Sequence, residues 1–369
     1  MSNKKIVRYN LDNIDSKNAT INIIYGERSN GKSYQLKHKK AVLKYLETGS
    51  RFILMRRWKE EISTEKIEAY FADVDVIKIT NEKYNCITVY RKSLYLSNYD
   101  TETGKTKRGE KIGYVVALST EQNYAGASYL DVNDIIFEEF MSRSEYIGNS
   151  ESDKLMNFYS TVDRKRGTTK LWLVGNSISR VCPYLQDWGL SEIIRSQKQG
   201  EITEKYLGTN TFDDNGNEIT VKLAIEYCKD TGKTSFAIGK HRDMLNKGSW
   251  QTDPQPHLPK SRNSYKSLYK ILFFYKGFKF MSEYLMDLEE TSNRCWFIYP
   301  YTKEIKENML VFSDIVKISK WWQRDIYNPN INNDNIKRLL DTFRENMIFY
   351  STDLCGTDFK QVIDFTIKK

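Results

Sequence analysis

Gly26, Gly31, Lys32 and Ser33 satisfy the pattern GxxxxGK[ST] without a mismatch, with Glu27, Arg28, Ser29 and Asn30 between the glycines and Tyr34 directly after. Each residue type answers a demand of phosphate chemistry. Gly26 allows a tight turn out of a strand, and Gly31 lets backbone amides approach phosphate oxygens that a Cβ would hold off. Lys32 reaches the β and γ oxygens as a point charge. The Ser33 hydroxyl is placed to ligate Mg²⁺ where a helix begins, with the helix's positive dipole end toward the phosphates. The pattern therefore implies a P-loop that takes ATP with Mg²⁺.

Phosphoryl transfer to water leaves two tasks to carboxylates: facing the metal and its water shell, and orienting or activating the attacking water. Ile135, Ile136 and Phe137 lead into Glu138 and Glu139, which assigns the first task to Glu138 and the second to Glu139. Asp is the usual residue at the first position; Glu138, one methylene longer, must reach the metal through a shifted backbone or through water. Arg164, Lys165 and Arg166 follow a helical pattern. Such a turn is either a charged cap on a helix C-terminus or the source of an arginine finger reaching a neighbouring subunit's nucleotide, with Arg164 preferred. Asn176 closes an apolar run, where it either senses the γ-phosphate or attacking water or makes a local turn bond.

These residues need a parallel sheet to position them. Ile21, Ile23, Ile24 and Tyr25 supply the buried strand that feeds the P-loop, and Leu36, Val42, Leu43 and Leu46 keep helical spacing after it. Phe52 to Met55 form a second buried strand ending in Arg56 and Arg57; an intervening helix makes the two strands parallel. Those arginines either assist nucleotide binding or a neighbouring subunit, or cap a solvated strand end. Residues 74–120 alternate apolar and polar positions in three segments, ValAspValIleLysIle, AsnCysIleThrValTyr and SerLeuTyrLeuSer, which predicts inserted antiparallel strands. Their longest connection, residues 98–111, carries Lys105, Lys107, Arg108 and Lys111 and is expected as a hairpin tip. It either grips a DNA backbone through phosphate contacts or is simply solvated.

The chain has 369 residues, enough for two domains with cores of their own, and a net charge of +9 that suits an acidic partner such as nucleic acid. Its five cysteines are scattered and unpaired in spacing, and its three histidines stand apart from Cys or carboxylate clusters, so neither a disulfide framework nor a zinc site is expected. A reducing cytosol fits this usage. The N-terminus has no apolar signal core and no run reaches membrane-spanning length. Residues 191–235 are polar, charged and Gly-containing, and read as a linker with a small hairpin around AspAspAsnGlyAsn. ThrGlyLysThr at 231–234 lacks the first glycine of a P-loop and is set aside. Beyond a proline-rich loop at 254–259, lysines alternate with aromatics from Ser264 to Phe280, either as a nucleic-acid surface or as half-buried strands with a wet lysine face. IleLeuPhePheTyrLysGly offers none of the strand carboxylates a two-metal nuclease needs, so no nuclease activity is expected. Asp287, Glu289 and Glu290 are expected in a turn. Trp321, Trp322, Lys337 and Arg338 are expected in helical surroundings as a basic and aromatic docking surface.

Taken in order, GlyGluArgSerAsnGlyLysSer, PheIleLeuMetArgArgTrpLys, IleIlePheGluGluPhe, ArgLysArg and LeuValGlyAsnSerIleSerArgValCysProTyr resemble the DNA-packaging (encapsidation) ATPases of small tailed bacteriophages whose motors use a packaging RNA. The resemblance covers residues 20–190 with specific motifs and 270–300 more loosely. It implies an α/β P-loop NTPase of the additional-strand, catalytic-glutamate type, followed by an α+β domain that is ribonuclease-H-like but nuclease-inactive. The implied division is an ATPase domain at 1–190, a linker at 191–235 and a nucleic-acid- or portal-binding domain at 236–369. By motif position Lys32 and Ser33 match the P-loop, Glu138 and Glu139 the acidic pair, Arg164 the trans finger, Asn176 the sensor, and Arg56, Arg57 and Lys59 a basic cluster. The resemblance further implies a homopentameric ring at the portal vertex of a procapsid in the host cytoplasm, with packaging RNA and portal protein as partners, driving double-stranded DNA inward. Readings from other classes are a P-loop kinase acting on a small molecule and a nucleotide-gated assembly protein with negligible turnover.

Overall fold

The computed structural model describes residues 9–124, 126–142, 146–148, 151–212, 215–231, 249–306, 309–314, 322–326 and 334–367. The chain divides into two compact units, Met1–Ile178 with Gln197–Ala237 and Asp243–Ser249, and Ser179–Ser196 with Ile238–Arg242 and Trp250–Lys369.

The first unit is built on a nine-stranded sheet. Its strands in chain order are β1 (Ile21–Gly26), β2 (Arg51–Arg56), β3 (Cys86–Tyr90), β4 (Ser93–Tyr99), β5 (Thr106–Ala117), β6 (Val132–Glu138), β7 (Lys170–Asn176), β8 (Ile202–Phe212) and β9 (Glu218–Tyr227). They lie in the order β3-β4-β5-β2-β6-β7-β1-β9-β8. The six central strands, β5 to β9 across the sheet, run parallel; the β3–β4 hairpin and β8 close the two ends antiparallel. Strands buried on both faces read as unbroken apolar runs. Accordingly every residue of β1 is buried, as are six of the seven in β6. β7 is interposed between β1 and β6, so the two motif-bearing strands end side by side across a third. A parallel sheet gathers its functional loops at the carboxyl ends of its strands. That places the residues after Gly26, Arg56, Glu138 and Gly175 on one rim.

Two expectations are corrected here, and a third, the helix after the P-loop, is met and refined. ValAspValIleLysIle contains no strand: Val76–Ile79 is a short helix whose first turn is capped by Asp75, its carboxylate accepting the Lys78 amide at 3.1 Å. A local cap overrides β-branched residues that otherwise favour strands. The 191–235 stretch is not a linker: from Gln197 onward it belongs to the first unit, and β9 extends the sheet on the free edge of β1. Leu223, Ala224 and Ile225 are fully buried there, whereas β8 is largely exposed, and it was the polarity of β8 that made the whole stretch read as solvent-facing. The helix after the P-loop is not uniformly α. It widens into a π-helical stretch over Leu36–Leu43 between α-helical Lys32–Gln35 and Lys44–Thr48, with Leu36, Lys37, Ala41 and Val42 buried.

The connection at 98–111 is mostly strand. β5 begins at Thr106 and pairs back onto β4, leaving a turn at 100–105 in which the Asp100 carboxylate accepts the Glu102 and Thr103 amides.

The second unit carries β10 (Tyr265–Tyr275), β11 (Phe278–Asp287), β12 (Arg294–Pro300), β13 (Leu310–Ser313), β14 (Trp322–Asp325) and β15 (Met347–Tyr350), in the order β14-β13-β10-β11-β12-β15. β10, β11 and β12 form an antiparallel meander; β13, β14 and β15 are added parallel to their neighbours. Lys276 and Gly277, with φ of 41° and 87°, make the two-residue turn that a right-twisted hairpin favours. Helices Asp334–Glu345 and Asp353–Ile367 complete the unit. Its core is aromatic, with Trp296 stacked on Phe343 at 3.8 Å and Phe359 edge-on to Phe273 and Phe280. Lys266 and Lys270 are exposed in the first half of β10, whereas Ile271, Leu272 and Phe273 are buried in succession and β11 is buried along nearly its whole length, so these strands are half-buried only where β10 begins.

Candidate nucleotide site

A cavity of about 440 Å³ opens on the carboxyl rim of the first sheet, lined by the P-loop from Arg28 to Tyr34, by Glu138 and Glu139, by Gly175 and Asn176, and by Lys37 and Asp73. The loop is held in the conformation its sequence requires. Gly31 has φ of 100°, and Gly26, at 151°, brings its Cα against Cys228 so closely that an added Cβ would lie 3.0 Å from that side chain. Ser29 also has a positive φ, 62°. Arg28 and Tyr34 are exposed at the mouth, and Glu27 is buried beneath, its carboxylate accepting the Thr231 amide at 2.7 Å.

Lys32 is 4% exposed. Its ammonium donates to the Glu27 carbonyl at 2.5 Å and to Asn30 Oδ1 at 3.1 Å, with burial pulling its pKa down and Cys228, Glu138 and Glu27 opposing that shift. A buried ammonium held by neutral acceptors is one that incoming phosphate oxygens would satisfy better.

Glu138, at the end of β6, is also 4% exposed. Its two oxygens each accept a hydroxyl: Ser33 Oγ donates to Oε2 at 2.9 Å and Tyr70 donates to Oε1 at 2.6 Å. Burial raises the Glu138 pKa, opposed first by the Tyr70 and Ser33 bonds and then by Arg56. A serine hydroxyl beside a buried carboxylate is a set of hard oxygen donors, which fits Mg²⁺. The sequence paired these two residues; the structure brings them into direct contact although they are far apart in the chain.

Glu139 is the first residue past β6 and has φ of 58°, which turns its side chain out of the strand. Its carboxylate is 53% exposed toward the cavity and accepts from Arg56 at 2.8 Å. The turn that carries it is fixed from behind. Arg57 donates through its terminal nitrogens to the carbonyls of Glu139 at 3.1 Å and Phe140 at 2.6 Å, and its Nε–H is shared between the two oxygens of Glu151 at 2.9 and 3.1 Å. Thus the basic cluster divides: Arg56 sits on the site, Arg57 is buried scaffolding beneath it, and Lys59 is exposed on a one-turn helix. Phe140 closes against Gly175, where an added Cβ would lie 3.1 Å from the ring.

Asn176 ends β7 opposite Gly26 in register and lines the cavity. The basic turn separates its arginines. Arg166 is consumed internally, donating to the carbonyls of Tyr129, Leu130, Val132, Val162 and Asp163. Arg164 is exposed, with φ of 48°, and donates to the Ala127 carbonyl at 2.8 Å. Lys105, in the turn before β5, and Lys107 and Arg108, on that strand, are exposed; Arg108 lies 3.7 Å over the Tyr90 ring, and Lys111, half-buried, sits 3.8 Å over Tyr114. Lys337 and Arg338 are exposed on helix Asp334–Glu345, and Trp321 lies outside the described residues. Asp287 ends β11 and is held, with Glu289, by Lys260.

Sequence reasoning did not find Tyr70, Lys37 or Asp73. Tyr70 and Asp73 lie at and just beyond the end of helix Thr64–Phe71, and their pattern is that of an ordinary half-buried helix; only its packing against the P-loop helix makes them part of the site.

A P-loop facing a paired acidic strand end across an interposed strand defines a P-loop nucleoside-triphosphatase. A family model for the podovirus DNA encapsidation protein (Gp16) matches residues 3–236, which takes in all nine strands of the first sheet, and the chain belongs to that family. It is similar to the DNA packaging protein of Bacillus phage PZA, 27% identical over 281 residues that make up 74% of each chain. The DNA packaging protein of Bacillus phage phi29 is 27% identical over 254 residues, 68% of this chain and 66% of that one. Among solved structures, a chain of the bacteriophage phi29 viral genome packaging motor assembly superimposes with a TM-score of 0.57 over 98% of this chain and 99% of that one, at 21% identity, a likeness of fold.

Proposed function

We propose that the chain is an ATP-driven translocase that packages double-stranded viral DNA into a procapsid. The observation that carries this reading is the convergence, in one cavity, of Lys32 and Ser33 from the P-loop with Glu138 and Glu139 from β6. A site built only to bind nucleotide needs no second acid aimed into it.

Ser33 and Glu138 would hold Mg²⁺, which when bound neutralises charge on the β and γ phosphates and orients them. Lys32 leaves the Glu27 carbonyl for the phosphate oxygens. Glu139 orients the attacking water and accepts its proton, with Arg56 holding one carboxylate oxygen so that the other faces the cavity. Asn176 positions the same water or the γ-phosphate. Arg164, exposed on its turn, completes the site of a neighbouring subunit, so turnover belongs to the assembly.

The interposed β7 supports the additional-strand, catalytic-glutamate class. In the second unit, a three-stranded meander with two parallel strands beside its first strand supports a ribonuclease-H-like domain. The same reading gives this unit a nucleic-acid- or portal-binding role, in keeping with a β10 sequence that carries no carboxylate. Lys105, Lys107 and Arg108 offer a phosphate-backbone grip that reads no sequence. The same reading includes a pentameric ring at the portal, with packaging RNA as a partner.

The test is ATP turnover across protein concentration, with and without linear double-stranded DNA. Turnover per chain should rise with concentration and with DNA, be abolished in Lys32→Ala, and fall by about 10²–10⁴-fold in Glu139→Gln with nucleotide binding retained. DNA-indifferent turnover, or turnover only with a small-molecule acceptor, would refute the translocase and favour a kinase.

A further inference from the structure

We propose that Tyr70 is a positioning residue for the metal-side carboxylate, locked in place by Lys37, so that the segment following β2 is built into the Mg²⁺ site. The proposal rests on the reading of Glu138 and Ser33 as that site's ligands.

The geometry is a relay that starts and ends on the same nucleotide cavity. Ser33 and Lys37 lie one helical turn apart after the P-loop and project to the same side. Ser33 reaches Oε2 of Glu138 directly. Lys37 donates instead to the Tyr70 backbone carbonyl at 2.6 Å and to Asp73 Oδ1 at 2.5 Å, and its ammonium sits 4.4 Å from the centre of the Tyr70 ring. The Lys37 side chain is 7% exposed, so these contacts are its environment rather than a surface encounter. With its backbone and its ring both held, Tyr70 delivers its hydroxyl to Oε1 of Glu138 at 2.6 Å, a short charge-assisted bond.

The consequence is that both carboxylate oxygens are fixed, one from each of two helices, and the carboxylate plane cannot turn about its terminal torsion. That torsion is otherwise broad. The lone pairs left over are thereby aimed into the cavity beside Ser33. Glu138 carries one methylene more than the aspartate usual at this position, and so has one more torsion to restrain. Tyr70 supplies the restraint. Partners of this kind, which touch the ligand and not the metal, typically change metal affinity by 10–100-fold.

The test uses the full chain and equilibrium binding of ATPγS, measured without metal and then at increasing Mg²⁺. Tyr70→Phe keeps the ring over Lys37 and removes only the hydroxyl. It should bind metal-free ATPγS within about twofold of the parent, while the Mg²⁺ concentration for half-maximal tightening rises by about tenfold. Lys37→Met, which frees Tyr70 without touching Glu138, should move the same Mg²⁺ midpoint in the same direction by a smaller factor. An unchanged Mg²⁺ midpoint in Tyr70→Phe would overturn the proposal. So would an equal loss of metal-free and metal-bound affinity, which would make Tyr70 packing alone. If the parent chain itself bound ATPγS without any Mg²⁺ effect, the fault would lie in the assignment of Glu138 and Ser33, and the proposal would fall with it.

Discussion

Replacing Arg57 by alanine should cost far more than losing a surface charge. Arg57 is 5% exposed and Glu151 is fully buried; the guanidinium meets both carboxylate oxygens and, at the same time, the carbonyls of Glu139 and Phe140. Removing Arg57 takes the opposite charge from a fully buried carboxylate that keeps its bond from the Ile147 amide, and breaking a buried ion pair in this way costs about 3–5 kcal/mol. For a unit of this size each kcal/mol lowers the midpoint by about 2–4 °C, so Arg57→Ala should lower the melting temperature of the first unit by on the order of 6–20 °C. The double variant Arg57→Met with Glu151→Leu removes both charges and fills much of the volume, and should regain most of that loss. Stability and activity must then part company: the double variant lacks the two bonds that hold the Glu139 turn, so its ATP turnover should stay well below the parent while its melting temperature recovers. Differential scanning calorimetry and a turnover assay on the same preparations decide it. A shift under about 2 °C for Arg57→Ala, or a double variant no more stable than the single, would refute the reasoning from buried charge.

Further outcomes follow from the same geometry. Arg164→Ala should leave the melting temperature within about 1 °C but remove concentration-dependent turnover, and mixing it with Lys32→Ala chains should restore part of the activity; Arg166→Ala, which abandons five carbonyls, should instead destabilise by about 2–4 kcal/mol in thermal melts. Burial raises the Glu226 pKa to about 7, with the Tyr9 hydroxyl bond opposing the shift. An acid whose folded pKa is raised keeps its proton in the fold longer than in the unfolded chain, so its contribution makes stability fall as pH rises from about 4.5 to about 7, by at most roughly 1.4 kcal/mol per pH unit. Glu226→Gln should flatten that slope in chemical unfolding series, and an unchanged slope would assign it to other groups.

The P-loop was legible because its chemistry is local. Phosphate contact through backbone amides forces glycine at set positions, and the lysine and serine must follow within one helical turn. The acidic pair was legible because a P-loop upstream requires a strand that ends in carboxylates, and Ile135–Phe137 leading into Glu138 and Glu139 meets that requirement. Neither arginine assignment could be made that way. Arg56 and Arg57 are adjacent and identical in type, yet alternation along the strand end sends one to the site and the other beneath it. Arg164 and Arg166 flank one lysine, and only the carbonyls around Val132 and Val162 determine which is consumed. The β8–β9 hairpin around AspAspAsnGlyAsn was legible, but its place in the main sheet was missed, because the partner of β9 is β1, some 200 residues earlier, and the polar strand before it hid its apolar face.

Whatever depends on residues within one strand, loop or helical turn could be read from the chain alone: the P-loop, the strand feeding it, the acid pair and the absence of carboxylates from β10. It took the folded sheet to settle which strand lies between the two motifs, which arginine is scaffold, and that Tyr70 and Lys37 reach Glu138 at all. The physical reason is that hydrogen bonds and charge pairs act over a few ångströms in space, whereas Tyr70 and Glu138 are 68 positions apart and meet only because a parallel sheet brings its carboxyl ends to one rim.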